Sequence, residues 1–138
     1  FPTRRSSDLA SAKDHEAGEQ IRAALQEDAR DFCLNLAGKT QLEQAVILIA
    51  ACRAVVSNDS GLMHVAAALN KPLIALYGPS SPDFTPPLSD KARVIRLISG
   101  YHKVRKGDAE QGYHQSLIDI QPQQVLDALT PLLVASEE

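Results

Sequence analysis

The stretch VVSNDSGLMHVAAALNKPLIALYGP, residues 55–79, decides the fold. Residues 54–57 form a short apolar run with two β-branched valines, fit for a buried strand. Asn58-Asp59-Ser60-Gly61 is a turn cluster rich in side chains that cap helices. Beyond it Leu62, Val65, Ala66 and Leu69 recur at i, i+3, i+4 and i+7, which predicts one apolar helical face. Asn70-Lys71-Pro72 ends that helix, and residues 73–77 form a second buried strand closed by Gly78-Pro79. The stretch is therefore a βαβ unit, the building block of a parallel α/β sheet.

The turn is where chemistry can sit. In an open parallel sheet, ligands bind beyond the carboxyl ends of the strands, where the next helix begins. The helix N-terminus offers unpaired N–H groups and about half a positive elementary charge, which suits a phosphate or diphosphate. Gly61 has no Cβ and lets a ligand approach the backbone. Asp59 and Ser60 offer an acceptor and a hydroxyl to sugar-like groups. His64, in the first turn, faces away from Leu62, Val65 and Leu69 and should look toward the turn. The same residues also describe a plainly capped helix with a surface histidine, so spacing alone leaves both readings open.

Working outward, residues 12–29 read as a helix with Ala17, Ile21, Ala24 and Leu25 on one face. Residues 32–36, FCLNL, read as a strand followed by the loop Ala37-Gly38-Lys39-Thr40. Thr40 and Glu43 have the T-x-x-E spacing of a capping box. The helix after them carries Leu42, Ala45, Val46 and Ile49 as its main stripe, and with Ile47 and Leu48 it is apolar nearly all round, which predicts burial. Gly38-Lys39-Thr40 lacks the upstream glycine spacing of a P-loop. Residues 80–87 form a proline-rich loop, suited to a preorganised wall beside a site or to a plain surface loop. Residues 92–98 read as the next strand. Residues 100–115 are long, polar and irregular, with a basic run at Lys103, Arg105 and Lys106 that suits an anionic partner or a solvated loop. Pro122 starts a C-terminal helix built on Val125, Leu126, Leu129, Leu132 and Leu133, which Pro131 should kink or fray.

Composition fits one domain with a real core: 138 residues, 44% hydrophobic and 22% charged. A net charge of −3 gives a nucleic-acid partner no global support. No apolar run approaches the ~20 residues that span a bilayer. Cys33, in the expected strand, and Cys52, at a helix end, have no metal-ligand spacing and read as free buried thiols of a reducing cytoplasm.

The segment SNDSGLMHVAAALNKPLIALYGPSSPDFTPPLSDKARVIRL, residues 57–97, resembles the bacterial ADP-heptose–lipopolysaccharide heptosyltransferases of glycosyltransferase family 9. The likeness runs from about Ser11 to about Leu133. Its (D/S)xGLxH core is shared across the family, whereas GPSSPDFTPPL and GYHKVRKGDAEQGYHQSLIDI resemble the type II branch. The fold this implies is α/β: a truncated Rossmann-like parallel sheet with flanking helices, the C-terminal nucleotide-sugar-binding domain of a GT-B glycosyltransferase. The first nine residues, FPTRRSSDL, are what the sequencing-adapter tail TTCCCTACACGACGCTCTTCCGATCT encodes once its last codon is completed, and are expected to be non-native. Residues 10–138 are then the donor-binding domain, incomplete at its N-terminus. Of its strands, residues 54–57, 73–77 and 93–97 should form a parallel ladder in chain order with 73–77 in the middle. Residues 32–36 should stand apart or be recruited to the free edge at residues 54–57.

The resemblance implies inverting transfer of a heptose from ADP-L-glycero-D-manno-heptose to the inner-core heptose of lipopolysaccharide, by single displacement and with no metal or cofactor. It places Glu16 on the ribose, although the helix dipole alone also explains acidic residues at Asp14 and Glu16. It sets the backbone near Thr40 beside the adenine, Asp59 on sugar hydroxyls, Ser60 and Gly61 on the diphosphate, and His64 on phosphate or sugar. Lys103, Arg105 and Lys106 would face the anionic acceptor, at the cytoplasmic face of the inner membrane, with peripheral contact to that surface compatible. The family's catalytic base comes from the N-terminal domain, so no catalytic residue is named and this chain alone is expected to transfer no sugar. The rival readings are a type I heptosyltransferase, separated by acceptor choice, and a non-catalytic ADP-binding module, separated by whether the flanking gene encodes an acceptor domain in frame.

Overall fold

The computed structural model describes residues 12–99 and 115–135. Backbone contacts divide the described residues into two units that meet between Ile47 and Leu48.

In the first unit α1 spans Ala12–Ala24 and a single turn, α2, spans Glu27–Arg30. The one helix expected over residues 12–29 is thus broken, because Gln26 is extended (φ −63°, ψ 153°). At the break the Arg30 guanidinium folds back and donates to the carbonyls of Arg22 (3.1 Å), Ala23 (3.3 Å) and Leu25 (2.9 Å). Arg22 and Ala23 lie in the last turn of α1, where carbonyls lack the usual intrahelical partners, and Arg22 O also accepts from Leu25 N at 3.1 Å. The expected apolar face is not covered either: Ala17 and Ala24 are exposed, and Ile21 is 62% exposed.

Residues 32–36 are not a strand. Among the described residues they join no ladder, and Phe32 is 92% exposed. Their first amides turn back instead, Phe32 N donating to Ala29 O and Cys33 N to Arg30 O. A β-rich composition makes a strand only when a neighbour accepts its hydrogen bonds. Side chains of α1 hold the stretch: Arg22 Nε donates to Cys33 O at 2.9 Å, and Asn35 Nδ2 donates to His15 O at 2.9 Å and Glu19 Oε1 at 3.1 Å. The Asn35 bond holds the Glu19 carboxyl below its ordinary range. Both cysteines are free, as expected, but Cys33 is half-buried and Cys52 exposed rather than buried.

Helix α3, Leu42–Ala51, contains the boundary between the units. Its capping differs by one residue from the expected Thr40–Glu43 pair: Gln44 Oε1 accepts from Gln41 N at 2.8 Å. None of its residues is fully buried, and Ile47 is 67% exposed, contrary to the burial that its apolar sequence predicts.

The second unit holds a three-stranded parallel sheet, β1 (Val55–Asn58), β2 (Leu73–Tyr77) and β3 (Ala92–Arg96), in the order β1-β2-β3. The parallel ladder with residues 73–77 in the middle is as expected. Val55 pairs with Leu73 and Leu73 with Ala92, so the carboxyl ends of β1 and β2 lie level. A central parallel strand must be covered on both faces. Leu73, Ile74, Ala75 and Tyr77 are accordingly fully buried.

Helix α4, Gly61–Ala68, covers one face through Met63, Ala66 and Ala67, which cluster with Leu73, Ala75 and Tyr77. The buried stripe is therefore shifted by one position from that expected: Leu62 and Val65 are half-buried and Leu69 is 38% exposed. The small alanines let the helix approach the sheet closely, and Met63 fills the space against Tyr77. Asn70, at φ 55°, ends α4 in a Schellman arrangement, with Lys71 N donating to Ala66 O and Asn70 N to Ala67 O.

The single turn α5, Gln115–Ile118, and the helix α6, Pro122–Ala135, both contact β2. Pro122 opens α6 as expected, but Pro131 does not fray it: the helix continues to Ala135, and Leu132 is its buried residue. Among the described residues no helix is long and apolar enough to cross a membrane.

Candidate functional site

The site is built where β1 runs out. Asp59 N donates to Leu76 O at 3.1 Å, extending the ladder by one bond before the chain turns at Ser60 into α4. Ser60 is the N-cap residue, extended at φ −151° and ψ 170°, yet its hydroxyl caps no backbone amide. It lies 3.3 Å from Ser57 Oγ instead. The first turn of α4 therefore presents N–H groups that no side chain among the described residues has taken, at the carboxyl end of a parallel sheet. At Gly61 an added Cβ would meet no atom of the described residues within 4 Å. His64, three residues on from Gly61, is exposed.

Asp59 does not hang free. Its Oδ2 accepts from Thr85 Oγ1 at 3.1 Å. Thr85 belongs to the loop after β2, and its carbonyl accepts a hydrogen bond from the buried Tyr77 hydroxyl. Arg96, at the end of β3, donates from Nε to Gly78 O at 3.1 Å and from Nη2 to Pro79 O at 3.3 Å, fixing the start of the same loop. Burial, and after it the negative charge of Asp59, pushes the Tyr77 phenol above its ordinary range.

That shift has a testable sign. The folded protein favours the protonated phenol, so its contribution to stability is complete below the unfolded pKa of about 10. It is lost as pH rises through the higher folded value. Urea denaturation from about pH 8 to about pH 11 should show stability falling at the alkaline end, with a shallower fall in Tyr77→Phe. An equal slope in the two proteins would mean that Tyr77 is not the group responsible.

Of the residues singled out in the sequence, Asp59, Ser60 and Gly61 form this turn, and His64 follows them on α4. Glu16, exposed on α1 just past the first turn that holds Asp14, and Thr40, half-buried before α3, belong to the first unit. Lys103, Arg105 and Lys106 lie outside the described residues. The sequence reading missed Thr85 and Tyr77. The signal was available: a tyrosine ending a buried strand must place its hydroxyl on a partner. Among the described residues no group of three or more histidine, cysteine or acidic side chains could hold a metal ion.

The glycosyltransferase family 9 (heptosyltransferase) model matches residues 9–114. The chain is 76% identical over 129 residues to lipopolysaccharide heptosyltransferase 2 of Escherichia coli strain K12, covering 94% of this chain and 37% of that protein. Against the protein of the same name from Salmonella typhimurium it is 77% identical over 130 residues, again covering 94% and 37%. The chain thus spans a little over a third of the length of these curated relatives. The solved structure of E. coli ADP-heptose lipopolysaccharide heptosyltransferase II superimposes with a TM-score of 0.81 at 67% identity, over 94% of this chain and 36% of that one. With its parallel sheet, its (D/S)xGLxH turn and these matches, the chain belongs to glycosyltransferase family 9, the heptosyltransferases.

Proposed function

We propose that this chain is the donor-binding part of a type II heptosyltransferase, which transfers L-glycero-D-manno-heptose from ADP-heptose to the inner-core heptose of lipopolysaccharide. The observation that carries the reading is the uncapped N-terminus of α4 at the carboxyl end of the sheet, next to an oriented Asp59. The diphosphate lies against the amides at Ser60 and Gly61, where the helix dipole meets the charge that grows on ADP as it leaves. Asp59 accepts from sugar hydroxyls, and His64 reaches phosphate or sugar from the exposed side. By the resemblance, Glu16 holds the ribose and the backbone at Thr40 borders the adenine. Lys103, Arg105 and Lys106 face the anionic acceptor at the cytoplasmic side of the inner membrane. The reaction is a single inverting displacement at the anomeric carbon. Its base comes from outside this donor-binding part.

Calorimetric titration of the chain with ADP and with adenosine tests the diphosphate assignment. ADP should bind roughly tenfold or more tightly than adenosine, the size expected of one or two charge–dipole contacts. Equal affinities would remove the diphosphate from α4.

A further inference from the structure

We infer that Thr85 is a positioning residue for the donor sugar: its hydroxyl fixes the Asp59 carboxylate, and the buried Tyr77 hydroxyl fixes Thr85. The inference rests on the proposed role of Asp59 at the sugar.

Two competitions decide the direction of the network. Thr85 Oγ1 has one proton and two acceptors within reach, Asp59 Oδ2 at 3.1 Å and Ser81 O at 3.4 Å. The carboxylate is both nearer and charged, so it takes the proton. The Tyr77 hydroxyl likewise has Thr85 O and, at 3.5 Å, Met63 Sδ. A thioether is a weak acceptor, so the carbonyl takes that proton. The two bonds run in series, from the core through the Thr85 backbone and side chain to Asp59.

The loop is shaped for this. Ser81, 3% exposed, accepts at its carbonyl from Phe84 N (3.1 Å) and Thr85 N (3.3 Å), and its Oγ accepts from Asp83 N (3.2 Å). A closed turn therefore carries Thr85, while Arg96 holds the loop's first residues. Thr85 itself is exposed and Asp59 only half-buried. A carboxylate in that setting otherwise samples several rotamers. Holding one of them before the ligand arrives removes an ordering cost from binding. With Oδ2 occupied by Thr85, Oδ1 has no hydrogen bond among the described residues and remains for a sugar hydroxyl.

The test uses the full chain with Thr85→Val, which keeps the branched shape and the backbone carbonyl, and Thr85→Ser, which keeps the hydroxyl. Side-chain coupling constants of Asp59 report its rotamer, and titrations with ADP and ADP-heptose report the sugar-dependent part of affinity. In Thr85→Val the Asp59 rotamer should average. The affinity for ADP-heptose should fall roughly tenfold, the size of one hydrogen bond to a charged group, with ADP unchanged. Thr85→Ser should restore both. An unchanged Asp59 rotamer in Thr85→Val overturns the inference. If Asp59→Ala weakens ADP-heptose relative to ADP while Thr85→Val does not, positioning by Thr85 fails and the Asp59 role stands. If Asp59→Ala leaves the sugar-dependent affinity intact, the role of Asp59 fails and the inference with it. Absence of binding by the unaltered chain overturns both.

Discussion

Gly78→Ala is expected to destabilise the second unit by about 2 kcal/mol, within the usual range for overpacking a filled core. An alanine Cβ there would lie 2.6 Å from Leu117 Cγ, with Leu117 Cδ1 and Ser116 Oγ both at 3.1 Å. The nearest atom is a branch point, not the free end of a flexible chain, so it moves only if the α5 turn moves. Ser116 is 5% exposed, and α5 is packed on β2, so that movement uncovers the strand on which the core is built. Urea unfolding followed by far-ultraviolet circular dichroism measures the loss as a lower midpoint at unchanged slope. Gly61→Ala is the internal control, since a Cβ at that position meets nothing. A midpoint for Gly78→Ala equal to the control would mean that α5 does not close over the end of β2.

What the sequence revealed, and what it hid, divides along one physical line. The strands of the second unit were legible because their partners are close in sequence. Leu73–Tyr77 was placed to the residue, and β1 and β3 to within a residue or two, since these apolar runs are bounded by turn residues: β1 and β2 join through the short βαβ link of α4, and β3 follows β2 directly after the loop at residues 78–91. The end of α4 was legible for a similar reason: Asn70 tolerates a left-handed backbone, and Pro72 cannot prolong a helix. In residues 32–36 the composition of a strand is present, yet the segment is held by hydrogen bonds to α1 instead, from Arg22 to Cys33 O and from Asn35 to His15 O. Composition says what a segment could pair with; only the fold says whether a partner is there.

The same limit explains the smaller errors. Apolar positions on α4 fit two overlapping stripes, and the closeness of approach allowed by Ala66 and Ala67 chose between them. At the break an arginine side chain returns to carbonyls five to eight residues earlier, a contact that a periodicity window does not register. The turn itself was legible because turn-forming residues act locally, with Ser60 at the N-cap position although its hydroxyl caps no amide. Thr85 was not, because the contact that matters joins residues 26 apart through a loop whose path depends on Tyr77, Ser81 and Arg96.

Gly61→Asp should separate the fold from the ligand by the widest margin. Gly61 is the first residue of α4, exposed, with open space where a side chain would grow and a backbone outside the left-handed region. An aspartate at this position therefore strains nothing. It complements the helix dipole and should leave stability unchanged or raise it by about 0.5 kcal/mol. The same charge stands where the diphosphate is proposed to lie. At about 5 Å and an effective dielectric near 20, one pair of like charges repels by about 3 kcal/mol. That corresponds to roughly a hundredfold loss of ADP affinity at low salt, shrinking as added salt screens the pair. Gly61→Asn, close in size but neutral, measures the steric part alone and should lose much less. The three titrations, run at two salt concentrations alongside thermal melts, distinguish repulsion from crowding and both from unfolding. ADP binding by Gly61→Asp with the affinity of the unaltered chain would place the diphosphate away from the start of α4.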